Sequence, residues 1–169
     1  MSYSPVPRYA FSEITDISPA FLQKLGLKLL MLDLDNTIGA YSEHSPPDAV
    51  SAWAEEIKSY GIRLYIVTNS TRKKRVEAYA KSLGIEVMMG ASKPSPTCIA
   101  KVLQQAGCTA DESALAGDQV FTDILAANRA GIVSIAVQPR RFTNPFLALR
   151  YALEIPFRAM SKNKMWKTK

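Results

Sequence analysis

The 169-residue sequence predicts a three-layer α/β/α sandwich built on a mostly parallel, five-stranded sheet, and three observations point there. Short, almost continuously apolar runs recur along the chain, the pattern of strands buried on both faces of a parallel sheet. Between them lie stretches with apolar residues at helical spacing and a glycine just past the end. The two kinds of segment alternate, as right-handed βαβ crossovers require.

The first strand, after a proline-containing leader, is Leu27–Leu34 (LKLLMLDL). Pro46, Pro47 and Asp48 open a helix in which Val50, Trp53 and Ile57 share a face and which stops at Gly61. Arg63–Thr68 (RLYIVT) is the second strand. Ser70 or Thr71 caps the next helix, which runs to Leu83 and closes at Gly84, and a short third strand lies near Glu86–Met89. A helix with Pro96 in its first turn follows, from about Ser95 to Ala106. Ala114–Ala116 is the fourth strand, Asp123–Ala130 a helix ended by Gly131, and Ile132–Val137 the fifth strand. Beyond Pro139 the alternation breaks. Pro145–Glu154 forms a helix with Phe146, Leu149 and Leu153 on one face, Pro156 interrupts it, and a lysine-rich end follows. One domain is expected, with a core over about 27–138 and a basic appendage at 139–169. Trp53, Tyr60, Phe121 and Leu125 are expected in the core.

With 47% apolar and 21% charged residues, the composition excludes disordered and fibrous classes. Cys98 and Cys108 are too few for a disulfide scaffold or a thiolate zinc site and suit a reducing cytosol. No secretory h-region and no apolar run of the ~20 residues that span a bilayer is present, so a cytoplasmic protein is expected. The net charge of +6 is unevenly placed: 139–169 holds eight Lys or Arg against Glu154 alone, and the rest of the chain is close to neutral. That asymmetry suits a polyanionic partner, either an anionic membrane surface or a nucleic acid, or simply a solvated tail.

In open α/β sheets, ligands bind beyond the carboxyl ends of the strands. The first strand ends in Asp33-Leu34-Asp35-Asn36-Thr37, whose two acids can face one pocket as the strand runs out. Carboxylates held that close need a cation or a shared proton, and Mg²⁺, which takes oxygen ligands and a substrate phosphate, is the relief expected here. The second strand ends in Val67-Thr68-Asn69-Ser70, offering a hydroxyl, an amide and a helix N-terminus to an anion. Lys93, after the third strand, supplies a point charge for phosphate. The fourth strand ends in Gly117-Asp118-Gln119-Val120-Phe121-Thr122-Asp123, adding an acid for the metal and another behind it.

These four motifs, DLDNT, VTNS, SKP and GDQVFTD, resemble in type and order those of the haloacid dehalogenase-like (HAD) superfamily, class IIIA phosphatases, from about Leu29 to Val137. The resemblance implies a HAD-like, Rossmannoid fold and a Mg²⁺-dependent phosphomonoesterase with an aspartyl-phosphate intermediate. Asp33 would be the nucleophile and Asp35 the acid and base; Thr68, Asn69 and Lys93 would bind the phosphoryl group. Asp33, Asp118 and the main-chain carbonyl of Asp35 would hold Mg²⁺, with Asp123 in support. The leader Pro5-Val6-Pro7 ahead of Asp16-Ile17, together with the DLDNT core, resembles the phosphatidylglycerophosphate phosphatase-like family, implying a phosphorylated anionic phospholipid as substrate.

Motif spacings of 35, 25 and 25 residues leave no room for a cap domain, which favours a large substrate or a membrane to cover the opening. Ile38–Ser45 can form a small flap, and His44 within it is expected to be exposed. Arg72-Lys73-Lys74-Arg75 place four cations against the positive end of a helix dipole, either awaiting an anion or fanning into solvent. The basic tail, with Phe146, Phe157 or Trp166 at a lipid interface, is expected to serve peripheral membrane association, and its deletion to harm only lipid substrates. A phosphatase of soluble metabolites or nucleic-acid ends, and a nucleic-acid- or ribosome-binding module with vestigial catalysis, remain as alternatives.

Overall fold

In the computed structural model, which describes residues 3–142 and 145–163, a parallel sheet is covered by helices on both faces. Its strands, in chain order, are β1 (Tyr9–Phe11), β2 (Leu29–Leu32), β3 (Arg63–Thr68), β4 (Glu86–Met89), β5 (Ser113–Gly117) and β6 (Val133–Val137). The helices are α1 (Pro19–Lys24), α2 (Asp48–Ser59), α3 (Lys73–Leu83), α4 (Thr97–Ala106), α5 (Leu125–Ala130) and α6 (Pro145–Ala159). All five strand pairings are parallel, in the order β1-β6-β5-β2-β3-β4.

Alternation along the strands divides the core in two. Leu30, Leu32, Leu64 and Ile66 pack with α1, α2 and α3 on one face, through side chains such as Leu22, Trp53, Ile57 and Tyr79. Leu29, Met31, Tyr65 and Val67 pack against Ile99 and Val102 of α4 and Ala126 and Ala127 of α5 on the other. The three-layer α/β/α architecture is therefore as expected, with six strands instead of five. The extra strand, β1, lies in the segment read as a leader and pairs Tyr9, Ala10 and Phe11 with Ile135, Ala136 and Val137. Three residues are too few to show a period of two.

Two aromatic side chains expected in the core lie elsewhere. Tyr60 caps the end of α2 and is half exposed; Phe121 lies on a π-helical turn, Val120–Ile124, and meets Phe157 edge-on at 5.7 Å. Trp53 is buried, its indole N–H donating to the Ile17 carbonyl at 2.8 Å. The segment beyond Pro139 is more than an appendage. Its α6 buries Leu147, Glu154 and Arg158, and Phe157 and Ala159 pack on Ala10, Val120, Ile124 and Ala136. Trp166 and the last lysines lie outside the described residues.

Candidate active site

The chain winds outward from β2 through β3 to β4, then returns to place β5 on the other side of β2. The strand order thus reverses between β2 and β5, and the crevice at their carboxyl ends is where such folds bind ligands. Leu32 pairs with Ala116, and the Asp33 N–H donates to the Ala116 carbonyl at 2.9 Å, so Asp33 and Asp118 emerge side by side. Carboxylate oxygens of Asp33, Asp118 and Asp123 lie within 4.8 Å of one another, all three residues buried.

Gly117 makes this approach possible. A Cβ there would collide with the Asp123 carboxylate, which turns back to accept from the Gln119 N–H at 3.0 Å. Lys93 is buried between two of the acids, its Nζ 2.7 Å from both Asp33 Oδ1 and Asp123 Oδ1, and it also donates to the Val67 carbonyl. Burial works against the ammonium, but the Asp123 and Asp33 carboxylates outweigh it and hold its pKa above the ordinary lysine value. Burial likewise pushes the Asp33 carboxyl up to about 7; Lys93 opposes this, and Asp123 and Asp35 add to it. Asp118, fully buried with Oδ1 lacking a hydrogen-bond partner, is raised well above the carboxylate range by burial and by Asp123 and Asp33. Three buried acids against one lysine leave a charge deficit that a hard divalent ion offsets, and the donor set fits Mg²⁺.

Thr68 is buried at the end of β3, and its Oγ1 accepts from the Ser70 N–H at 3.0 Å, holding the turn into α3. Asn69 braces Lys93 with both ends of its amide: Oδ1 accepts from the Lys93 N–H at 2.9 Å and Nδ2 donates to the Lys93 carbonyl at 3.0 Å. Asp33, Asp35, Thr68, Asn69, Lys93 and Asp123, all expected at the site, line one cavity of about 230 Å³. Ser70, Gln119, Thr122 and Tyr41 complete its wall. The Tyr41 hydroxyl, its pKa pushed up to about 12 by burial and by Asp118, Asp35 and Asp33, is a neutral donor at neutral pH.

The Asp35 carboxylate turns away from the acid cluster to Arg75, whose Nη1 lies 2.6 Å from Asp35 Oδ1. The same guanidinium donates to the Glu43 carbonyl at 2.7 Å and the Ala40 carbonyl at 2.8 Å, and stacks on Tyr79. It thereby ties the flap at 39–43 to α3. Asn36, at φ 62°, and Gly39, where a Cβ would strike the Tyr79 ring, shape the tight turn that presents Asp35. The four cations at 72–75 therefore divide. Arg75 is buried, Arg72 donates to the Tyr41 carbonyl at 2.6 Å, Lys73 lies 3.7 Å from Glu77, and Lys74 is exposed. Arg75→Ala should lower unfolding stability by about 2–3 kcal/mol, because it strands a carboxylate and carbonyls that are partly dry. Urea denaturation checks this, and a change within 0.5 kcal/mol, about what a surface substitution costs, would contradict the clamp.

The C-terminal helix also reaches the site. Arg158 donates to the carbonyls of Asp118 and Val137, Glu154 accepts from the Val120 N–H at 3.0 Å, and Arg150 Nη2 lies 3.5 Å from Asp118 Oδ2. Deleting 139–169 removes these supports of the Asp118 loop whatever the substrate, so the expectation that only lipid turnover would suffer does not follow from this geometry.

A family model described as mitochondrial PGP phosphatase matches residues 3–139. The chain belongs to this family. It is 28% identical over 159 residues to "Probable phosphatase YqeG" of Bacillus subtilis, spanning 94% of this chain and 91% of that one. It is 29% identical over 142 residues to chloroplastic phosphatidylglycerophosphate phosphatase 1 of Chlamydomonas reinhardtii, spanning 79% of this chain and 53% of that one. In fold it is similar to 3-deoxy-D-manno-octulosonate 8-phosphate phosphatase of Moraxella catarrhalis, solved with magnesium, phosphate and KDO. That likeness has a TM-score of 0.57 and 20% identity, covering 82% of this chain and 91% of that one. This member of the PGP phosphatase family is a phosphoric monoester hydrolase.

Proposed function

We propose that the chain is a Mg²⁺-dependent phosphatase that works through a phosphoryl group carried on Asp33 and takes the terminal phosphate from a phosphorylated anionic phospholipid, phosphatidylglycerophosphate, at a membrane surface. The observation that supports this best is the buried cluster of Asp33, Asp118 and Asp123, with Lys93 held between Asp33 and Asp123 and these three residues lining one cavity. A carboxylate attacks a phosphate dianion only when charge on both is neutralised. Mg²⁺ held by Asp33, Asp118 and the Asp35 carbonyl, with Asp123 behind them, would supply that neutralisation.

Lys93 and Thr68 bind the equatorial oxygens, and Asn69 fixes the Lys93 peptide. Asp33 attacks phosphorus as the ester bond to the alkoxide breaks, and Asp35 gives the leaving oxygen its proton. Asp35 then takes a proton from the water that attacks the aspartyl phosphate, releasing phosphate and restoring both acids. Arg75, 2.6 Å from Asp35 Oδ1, aims that carboxyl group. Among the described residues no cap domain covers the opening, which suits a lipid, since the bilayer and the bulk of the substrate would cover it. Among the described residues no helix is long and apolar enough to cross a membrane, so association would be peripheral.

Phosphate release from phosphatidylglycerophosphate in vesicles, compared with sugar phosphates and nucleotides and with or without Mg²⁺, tests the reading. Preference for the lipid with full Mg²⁺ dependence is expected; preference for soluble esters overturns the substrate, and Mg²⁺-independent turnover overturns the mechanism.

The raised carboxyls also predict a pH signature. Without a divalent ion, Asp33 binds its proton more tightly folded than unfolded, so its contribution to stability falls as pH rises from about 4, the unfolded value, to about 7. Asp118 acts in the same direction. Saturating Mg²⁺, at roughly 100 times its Kd, should add about 3 kcal/mol, or about 5–10 °C in Tm, at pH 8 and much less at pH 5. Melting curves at the two pH values check this, and an equal shift at both would contradict it.

A further inference from the structure

Helix α6 is built inside out. Its charged residues, Arg150, Glu154 and Arg158, face the body of the protein, and Glu154 and Arg158 are buried. Every exposed position along it holds Pro, Phe, Ala, Leu or Ile, with Phe146, Leu149 and Leu153 exposed by 70%, 61% and 60%. A helix covered by water on its outer side shows the reverse pattern. The patch continues to Met160 beyond the helix end, and a contiguous exposed apolar surface of this kind marks an interaction site.

Charge decides which partner covers it. Exposed Arg141 and Lys162 flank the helix, and the 139–169 segment as a whole has eight cations against Glu154. A second copy docked through this face would bring two such segments together, whereas anionic headgroups neutralise them at about 1 kcal/mol per cation near the surface. The inner face of the same helix meets the site, through Arg158 on the Asp118 carbonyl and Arg150 beside the Asp118 carboxylate. The apolar surface is thus the outer side of the helix whose inner side braces the Asp118 loop.

We propose that α6 lies flat in the headgroup layer of an anionic bilayer with its outward apolar face inserted. The inference rests on the lipid-phosphate reading above and assigns its docking surface to α6 rather than to the basic tail alone. Vesicles of phosphatidylglycerol and phosphatidylcholine contain no terminal phosphate, so co-sedimentation reads docking without chemistry, and its failure is separable from failure of the phosphatase reading.

The full chain should sediment with mixed vesicles and far less with phosphatidylcholine alone. Leu149→Ser/Leu153→Ser should weaken binding about 100-fold, the loss expected for two inserted leucines. Its melting temperature and its turnover of a soluble alkyl phosphate should stay unchanged. Undiminished vesicle binding by the double variant would overturn the proposal. So would a wild type that ignores vesicles and instead forms a dimer in ultracentrifugation that the variant dissolves.

Discussion

Asp33→Asn should leave a folded protein without turnover. The amide is close to isosteric, Lys93 keeps its contacts with Asp123 and the Val67 carbonyl, and one of three crowded acids loses its charge. Stability without metal should therefore hold or rise at neutral pH, where burial otherwise opposes the ionised form. The chemistry, by contrast, loses the oxygen that would attack phosphorus. Removing a covalent nucleophile costs about 10⁴-fold or more in kcat, since the surrounding charges alone supply only the residual acceleration. Phosphate release with substrate and Mg²⁺ saturating measures this. A variant retaining a tenth of the wild-type rate would show that another group performs the attack.

Lys93→Met combines a stability effect with a catalytic one. The methionine fills much the same volume, but Asp33 and Asp123 lose the cation that each holds at 2.7 Å in a buried setting. Breaking a buried pair from one side costs about 3–5 kcal/mol because the remaining charge is uncompensated. Burial pushes the Asp33 carboxyl up to about 7, and its protonation limits that loss at low pH, so the destabilisation should be smallest near pH 5 and largest near pH 8. Mg²⁺ should restore part of the stability and none of the turnover, because the lysine proposed to bind the phosphoryl group is gone. Chemical denaturation across that pH range distinguishes this from simple mispacking, which would be independent of pH.

The parts of the site that were legible in the sequence are those set by the sheet. Asp33 and Asp118 follow the buried strands β2 and β5, Thr68 ends β3, Lys93 follows the half-buried edge strand β4, and the parallel register brings the strand ends together. What was not legible depends on which way a charged side chain turns. Charge counting treats 72–75 as one basic cluster, yet Arg75 shares the buried face of α3 with Val76, Tyr79 and Leu83, and that helical spacing was a readable signal. Arg158 and Glu154 were hidden in a segment read as basic tail, although a lone acid four residues before an arginine beside Leu147 hints at an inward pair. The helix at Pro145–Glu154 was placed, and its apolar stripe of Phe146, Leu149 and Leu153 identified, but sequence alone does not say that this stripe faces outward. β1 and the reach of Tyr41 over the acids depend on contacts across the fold that no local pattern encodes.

The central claim is a phosphoryl group carried on one carboxylate. Acid-quenched single turnovers of an Asp35→Asn variant, slow to hydrolyse the intermediate, followed by peptide mapping, test it most directly. A hydroxylamine-labile phosphoryl label on the peptide containing Asp33, absent when Asp33 is also replaced by Asn, is the expected result. Label on a different residue, or phosphate formed by direct attack of water with no labelled protein at any time, would contradict it.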